Sequence, residues 1–204
     1  MERSHFRPSR LTLILLIISI ISSGEVSAQF LKQLIPDGVL SQYGGSIGYG
    51  SIGLSYGLFK KDRGSLDFTY GHVPESKGGT LDILSAKFAY RPLKINVNKW
   101  ASFYALNPGT FVSYHLGKDF RNLSKDQYPE GYYWWSKAVR VHLSLSNEVK
   151  INAKKVFPKT GIKDIRLYAE YNINELYAVS LFDNEGSMSI FDIVRTGYGI
   201  RVYF

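Results

Sequence analysis

Residues 193–204 read I-V-R-T-G-Y-G-I-R-V-Y-F. Val194, Thr196, Tyr198, Ile200, Val202 and Phe204 fall on one face of an extended chain, and Arg195, Gly197, Gly199, Arg201 and Tyr203 on the other. Side chains of a strand point alternately to its two faces. One face here is apolar, and the opposite face is polar or small. A soluble sandwich also alternates, but glycine weakens a strand interior and is disfavoured there.

The same period recurs upstream. Val139, Val141, Leu143 and Leu145 oppose Arg140, His142, Ser144, Ser146 and Glu148. Ile165, Leu167, Ala169, Tyr171 and Ile173 oppose Arg166, Tyr168, Glu170 and Asn172. Leu66, Phe68, Tyr70 and His72 oppose Asp67, Thr69 and Gly71. Leu84, Ala86, Phe88 and Tyr90 oppose Ser85, Lys87, Ala89 and Arg91, and Ile52, Leu54, Tyr56 and Leu58 oppose Gly53, Ser55 and Gly57. Alternating segments of about ten residues, separated by turns, mark a transmembrane barrel. Aromatics end many of the apolar faces (Tyr56, Tyr70, Tyr90, Tyr114, Tyr198, Phe204), as membrane-interface girdles do. The fold expected is all-β: a transmembrane, antiparallel, up-and-down barrel of eight strands.

The N-terminus carries a second signal. Arg3, Arg7 and Arg10 precede an apolar run, Leu11 to Ile21, and Val26-Ser27-Ala28 closes the segment. The run is too short to span a bilayer as a helix, which takes about 20 residues. These parts make a secretory signal peptide over 1–28, and the barrel is expected over 29–204. Of the net charge of +8, +7 remains on that mature chain. The 204 residues contain no cysteine, which excludes a disulfide scaffold, a Cys-ligated zinc site and a lipoprotein anchor. Aromatic and β-branched content argues against disorder.

Seven strands are expected over 46–59, 65–73, 80–91, 100–115, 133–148, 164–180 and 188–204. The eighth belongs in 30–45, although Pro36 lies there. Otherwise 100–115 would break at Asn107-Pro108-Gly109 into two strands too short for a bilayer. Short connections such as 60–64 go to the periplasm and the long one at 116–132 to the outside. The terminal Phe204, with apolar residues at Tyr198, Ile200 and Val202, resembles the assembly signal of bacterial outer-membrane barrels. That resemblance implies insertion by the barrel assembly machinery into the outer membrane. The block GYYWWSKAVRVHLSL resembles small barrels of the same membrane, a likeness that implies no activity.

An eight-stranded barrel is just wide enough for side chains to fill. Asp67, Lys87, Arg91, Arg140, Glu148, Arg166, Arg195 and Arg201 are expected to form a lumenal charge network, with Tyr168 and Tyr203 filling gaps. Their cationic excess also admits a narrow anion-selective pore. His142 and Ser144, two apart on one face, with Glu170 on a neighbouring strand, have the nucleophile, base and orienter types of an acyl hydrolase. The H-x-S pair resembles the outer-membrane lipid A deacylases, which implies His142, Ser144 and Glu170 as catalytic residues. In that family an asparagine follows the serine directly, whereas Leu145 stands here. That site also faces lipid, whereas the alternation turns His142 and Ser144 inward.

Tyr132, Tyr133, Trp134 and Trp135 are expected to anchor the outer interface. Lys118, Arg121 and Lys125 suit lipid phosphates, so outer-membrane lipids, lipopolysaccharide among them, are the expected partners of a monomer. No metal site, cofactor loop or nucleic-acid partner is expected. The competing reading is a soluble lipocalin-like barrel with its apolar face turned inward.

Overall fold

The computed structural model describes residues 34–117, 138–183 and 189–204. The segments 1–28 and 132–135, and Lys118, Arg121 and Lys125, lie outside the described residues. Asp37–Phe204 forms one unit. Its strands are β1 (Gly38–Gly44), β2 (Gly50–Leu58), β3 (Gly64–Val73), β4 (Leu81–Tyr90), β5 (Leu93–Asn96), β6 (Ala101–Leu116), β7 (Val139–Ile151), β8 (Asp164–Asn174) and β9 (Arg195–Tyr203).

Every pairing is antiparallel. β4 pairs with β6, and β1 pairs with β9 from Gly38↔Tyr203 to Gly44↔Gly197. Those two pairings close an eight-stranded barrel, 1-2-3-4-6-7-8-9. β5 is the additional strand. It follows β4 after Pro92 and pairs with β6 alone, Leu93↔Ala105 to Asn96↔Ser102. All four of its residues are exposed. Leu93 and Ile95 alternate with Lys94 and Asn96, but the run is only four residues long and falls outside the seven strands expected from the sequence.

The eighth strand does lie in 30–45, as β1. The 107–109 break does not occur. β6 runs on through Pro108 by means of a bulge between Tyr104 and Asn107. Leu106 takes φ +51° there, and its N–H donates to Asn147 Oδ1 at 3.0 Å. The bulge absorbs a residue beside a proline that has no N–H to give.

Two expected strands are shortened by local capping chemistry, and a third, β2, by a 3-10 turn. β8 ends at Asn174, whose Oδ1 accepts from Tyr177 N at 2.8 Å and starts helix α2 (Glu175–Asp183). The one-turn helix α3 (Ile190–Ile193) starts at Ser189 and Asp192, which form a reciprocal capping box, so β9 begins only at Arg195. Another single turn, α1 (Ala153–Val156), is capped by Asn152. At the start of β2, residues Gly45–Ile47 form a 3-10 turn instead of strand, and Ile47 is fully buried. No described helix is long and apolar enough to cross a membrane.

The faces separate as the alternation requires. Ser51, Ser55, Asp67, Thr69, Ser85, Lys87, Glu148, Arg166, Glu170 and Arg201 are buried inside. Val39, Ile52, Leu54, Leu84, Val112, Leu143, Leu145, Leu167 and Ile200 are exposed outside. Exposed aromatics flank this aliphatic band at both ends. Tyr43, Tyr70, Tyr114 and Tyr198 stand near the end of the barrel that carries the β1–β2, β3–β4, β6–β7 and β8–β9 connections, the upper end. Phe59, Tyr90, Trp100 and Phe204 stand near the lower end, where the chain ends at Phe204. Phe59 sits edge-on to Phe88 and Tyr90 at about 6 Å.

Gly199 shows why glycine is spaced through the inner face of β9. A Cβ there would come 2.3 Å from the ring of Tyr168, which fills the lumen above it. Gly199→Ala is therefore expected to cost about 1–3 kcal/mol by overpacking. A lowered urea midpoint of the refolded protein, with circular dichroism unchanged, would register it.

Candidate functional site

The barrel interior holds the densest chemistry in the described chain, and Glu148 is its hub. Arg91 donates to both its oxygens, Nε to Oε1 at 2.9 Å and Nη2 to Oε2 at 3.0 Å. Arg201 Nη1 donates to Oε2 at 2.8 Å and Arg166 Nη1 to Oε1 at 3.4 Å. Arg201 also donates to Asp67 Oδ2 through Nε at 3.1 Å and Nη2 at 2.8 Å. Arg166 Nε donates to Asp164 Oδ1 at 2.6 Å. Ser55 donates to Asp67 at 2.6 Å and lies 2.8 Å from the Tyr203 hydroxyl. Two aromatic faces cover the guanidinium groups: Arg201 lies 3.9 Å from the Tyr168 ring centre and Arg166 lies 4.3 Å from that of Tyr203.

A second layer lies above it. Lys87 Nζ meets Glu170 Oε2 at 2.7 Å and donates to Gln42 Oε1 at 3.0 Å. Tyr168 donates to the same Gln42 oxygen at 2.9 Å. Across both layers four cations (Lys87, Arg91, Arg166, Arg201) face four carboxylates (Asp67, Glu148, Asp164, Glu170). Each has at least one opposite charge within 3.4 Å, as burial demands.

The cationic excess read from the sequence has three local explanations. Asp164, not counted among the inward groups, is buried at the first position of β8. Arg140 lies 3.8 Å from Glu175, which α2 brings to the upper rim. Arg195 is exposed at that rim and donates to Tyr177 OH at 3.3 Å, outside the central network.

His142, Ser144 and Glu170 all point inward from β7 and β8, but the structure does not join them. His142 Nε2 lies 2.9 Å from Ser113 Oγ, and the imidazole stacks flat on Phe111 at 4.1 Å. Its Nδ1 is buried without a hydrogen-bond partner. Glu170 is held by Lys87 and Asn172 instead. Ser144 pairs across the sheet with Gly109 and Asn172. Sequence pattern found the face these residues share. Alternation from the outward Tyr114 turns Phe111 and Ser113 inward as well, but it could not single them out as the groups that hold His142.

Above this layer an open cup of about 510 Å³ lies within the upper rim, lined by Lys77, His115, Arg140, His142, Tyr177 and Arg195 among others. The inward 3-10 turn forms part of its wall, with Ser46 donating to Asn172 at 2.6 Å. On the outer surface Asp82 bridges Tyr70 and His72, 2.8 Å from each. No group of His, Asp and Glu that could hold a metal occurs among the described residues.

These features define a class: a closed eight-stranded barrel, apolar outside, with a charge-balanced interior. No protein-family model, curated protein or solved structure matches the chain.

Proposed function

We propose that this chain is an integral outer-membrane barrel with a sealed lumen, acting through its outer end and its lipid contacts as a structural or interaction protein. One observation carries the reading. The apolar side chains face outward in an aliphatic band with aromatics at both ends, while the charged side chains pair inside. A soluble barrel has the opposite arrangement. Strands of nine and ten residues (β2 to β4) match the 9–11 that a tilted strand needs to cross.

On this reading residues 1–28 direct export, Phe204 engages the assembly machinery, and the lower end faces the periplasm. The monomer meets lipopolysaccharide at its upper end. The paired lumen favours the sealed barrel over the anion path, because a permeating ion would have to displace buried ion pairs. Refolded into phosphatidylcholine vesicles, the protein should resist protease over the barrel and migrate faster on gels before heating than after. Reconstituted in planar bilayers, it should give no steady unitary current. Precipitation without insertion would refute the membrane reading, and anion-selective steps abolished by Lys87→Glu would restore the pore.

A further inference from the structure

The two ends of the barrel carry opposite charge. The lower-end segments 59–63, 94–99 and 152–163 hold nine Lys or Arg and one Asp. The described residues of the upper-end connections, 74–80, 175–183 and 189–194, hold one Lys and four Asp or Glu. Two further lower-end carboxylates are already engaged. Asp37 Oδ2 accepts from Gly57 N at 2.7 Å, and Asp164 is held by Arg166 and Lys150.

Within this basic end lies a hollow of about 210 Å³ between the β5–β6 turn and the β7–β8 connection. Lys94, Lys99, Lys150 and Lys155 line it. So do three asparagines whose oxygens are occupied by the fold. Asn98 Oδ1 accepts from Trp100 N at 2.9 Å and Ala101 N at 2.6 Å. Asn96 Oδ1 accepts from Ser102 at 3.2 Å, and Asn152 Oδ1 from Lys155 N at 3.3 Å. The carbonyl of Lys99 accepts from Lys155 Nζ at 2.6 Å. These side chains therefore offer a ligand amide N–H and ammonium donors. Such a site takes an anion rich in acceptor oxygens.

Beside the hollow stands an apolar ledge. Leu93 and Ile95 share one face of β5, with Val97 and Trp100 next to them, all about half exposed or more. Lys94 and Asn96 lie on the opposite face of the strand. Donor-rich hollow and apolar ledge adjoin at the lower aromatic end of the outer band. We propose that this corner binds an anionic phospholipid of the inner leaflet, phosphate in the hollow and acyl chain along Leu93, Ile95 and Trp100. The assignment rests on the outer-membrane reading above.

The test uses the full mature chain inserted in phosphatidylcholine vesicles, with spin-labelled phosphatidylglycerol or phosphatidylcholine as probe. Wild type should prefer phosphatidylglycerol about fivefold or more, the effect of one or two interfacial lysines. Lys94→Gln/Lys99→Gln/Lys155→Gln should bring the ratio near one while still inserting. Lys60→Gln/Lys61→Gln, on the β2–β3 turn, should keep most of it. Equal loss in both variants would mean diffuse charge attraction and overturn the site, as would an unchanged triple variant. Inorganic phosphate abolishing the preference at millimolar concentration would assign the hollow to free phosphate and overturn the lipid. Failure to insert at all would sink the membrane reading instead, and the gel shift on heating separates that case.

Discussion

Glu148→Gln should lower the unfolding free energy by roughly 3–5 kcal/mol, the range for breaking a buried ion pair from one side. The substitution keeps shape and volume and removes one negative charge. Glu148 is 1% exposed and accepts from Arg91, Arg166 and Arg201. With glutamine there, four buried cations face three carboxylates, and Arg91 loses both its carboxylate oxygens. Glu148, Arg91 and Arg201 are each no more than 2% exposed, so bulk water does not replace the lost charge. Urea titration of the refolded protein, followed by tryptophan fluorescence, measures the loss. Adding Arg91→Met should recover part of it, since Glu148 is the carboxylate that Arg91 pairs with, whereas Arg166 and Arg201 keep Asp164 and Asp67. A midpoint unmoved by Glu148→Gln would mean that the network contributes nothing to stability.

Leu54→Arg tests the outer surface. Leu54 sits mid-strand on β2, flanked across the sheet by Val39 and Phe68. In a bilayer, arginine at the midplane costs about 2–4 kcal/mol, falling to about 0–1 near the interfaces. Leu58→Arg, near the lower end of the same strand, should therefore cost far less. On a surface facing water, both substitutions would stay within about 0.5 kcal/mol. Folding free energies of the pair in vesicles give a depth profile. Two small, equal values would mean that this face meets water.

The faces of the barrel were legible in the sequence because strand alternation is a strict period of two. Once Leu143 faces out, His142, Ser144 and Glu148 must face in. What breaks the period was not legible. The bulge at Tyr104–Asn107 shifts the register of β6, and it depends on Asn147 reaching across from another strand. Asn174 and Ser189 divert apolar stretches into helix by capping, and the apolar pattern there fits either conformation. The candidate triad failed to assemble for a further reason. A shared face places His142 and Glu170 in one lumen, but Lys87, from across the barrel, claims the carboxylate. Competition among partners distant in sequence leaves no mark in local pattern.

The seam between the first and last strands has a consequence of its own. Phe204 N donates to Asp37 O at 2.9 Å, so the two ends of the barrel unit are hydrogen-bonded neighbours. The ring has no geometric beginning. A linker of a few residues from 204 to 37, with a new opening at the exposed Gly78–Gly79, would leave every strand and every ion pair in place. Such a circular permutant would retain the physics of folding and move the chain ends to the β3–β4 connection. On the proposed outer-membrane reading, it would separate what this barrel needs in order to be stable from what the assembly machinery needs in order to recognise it.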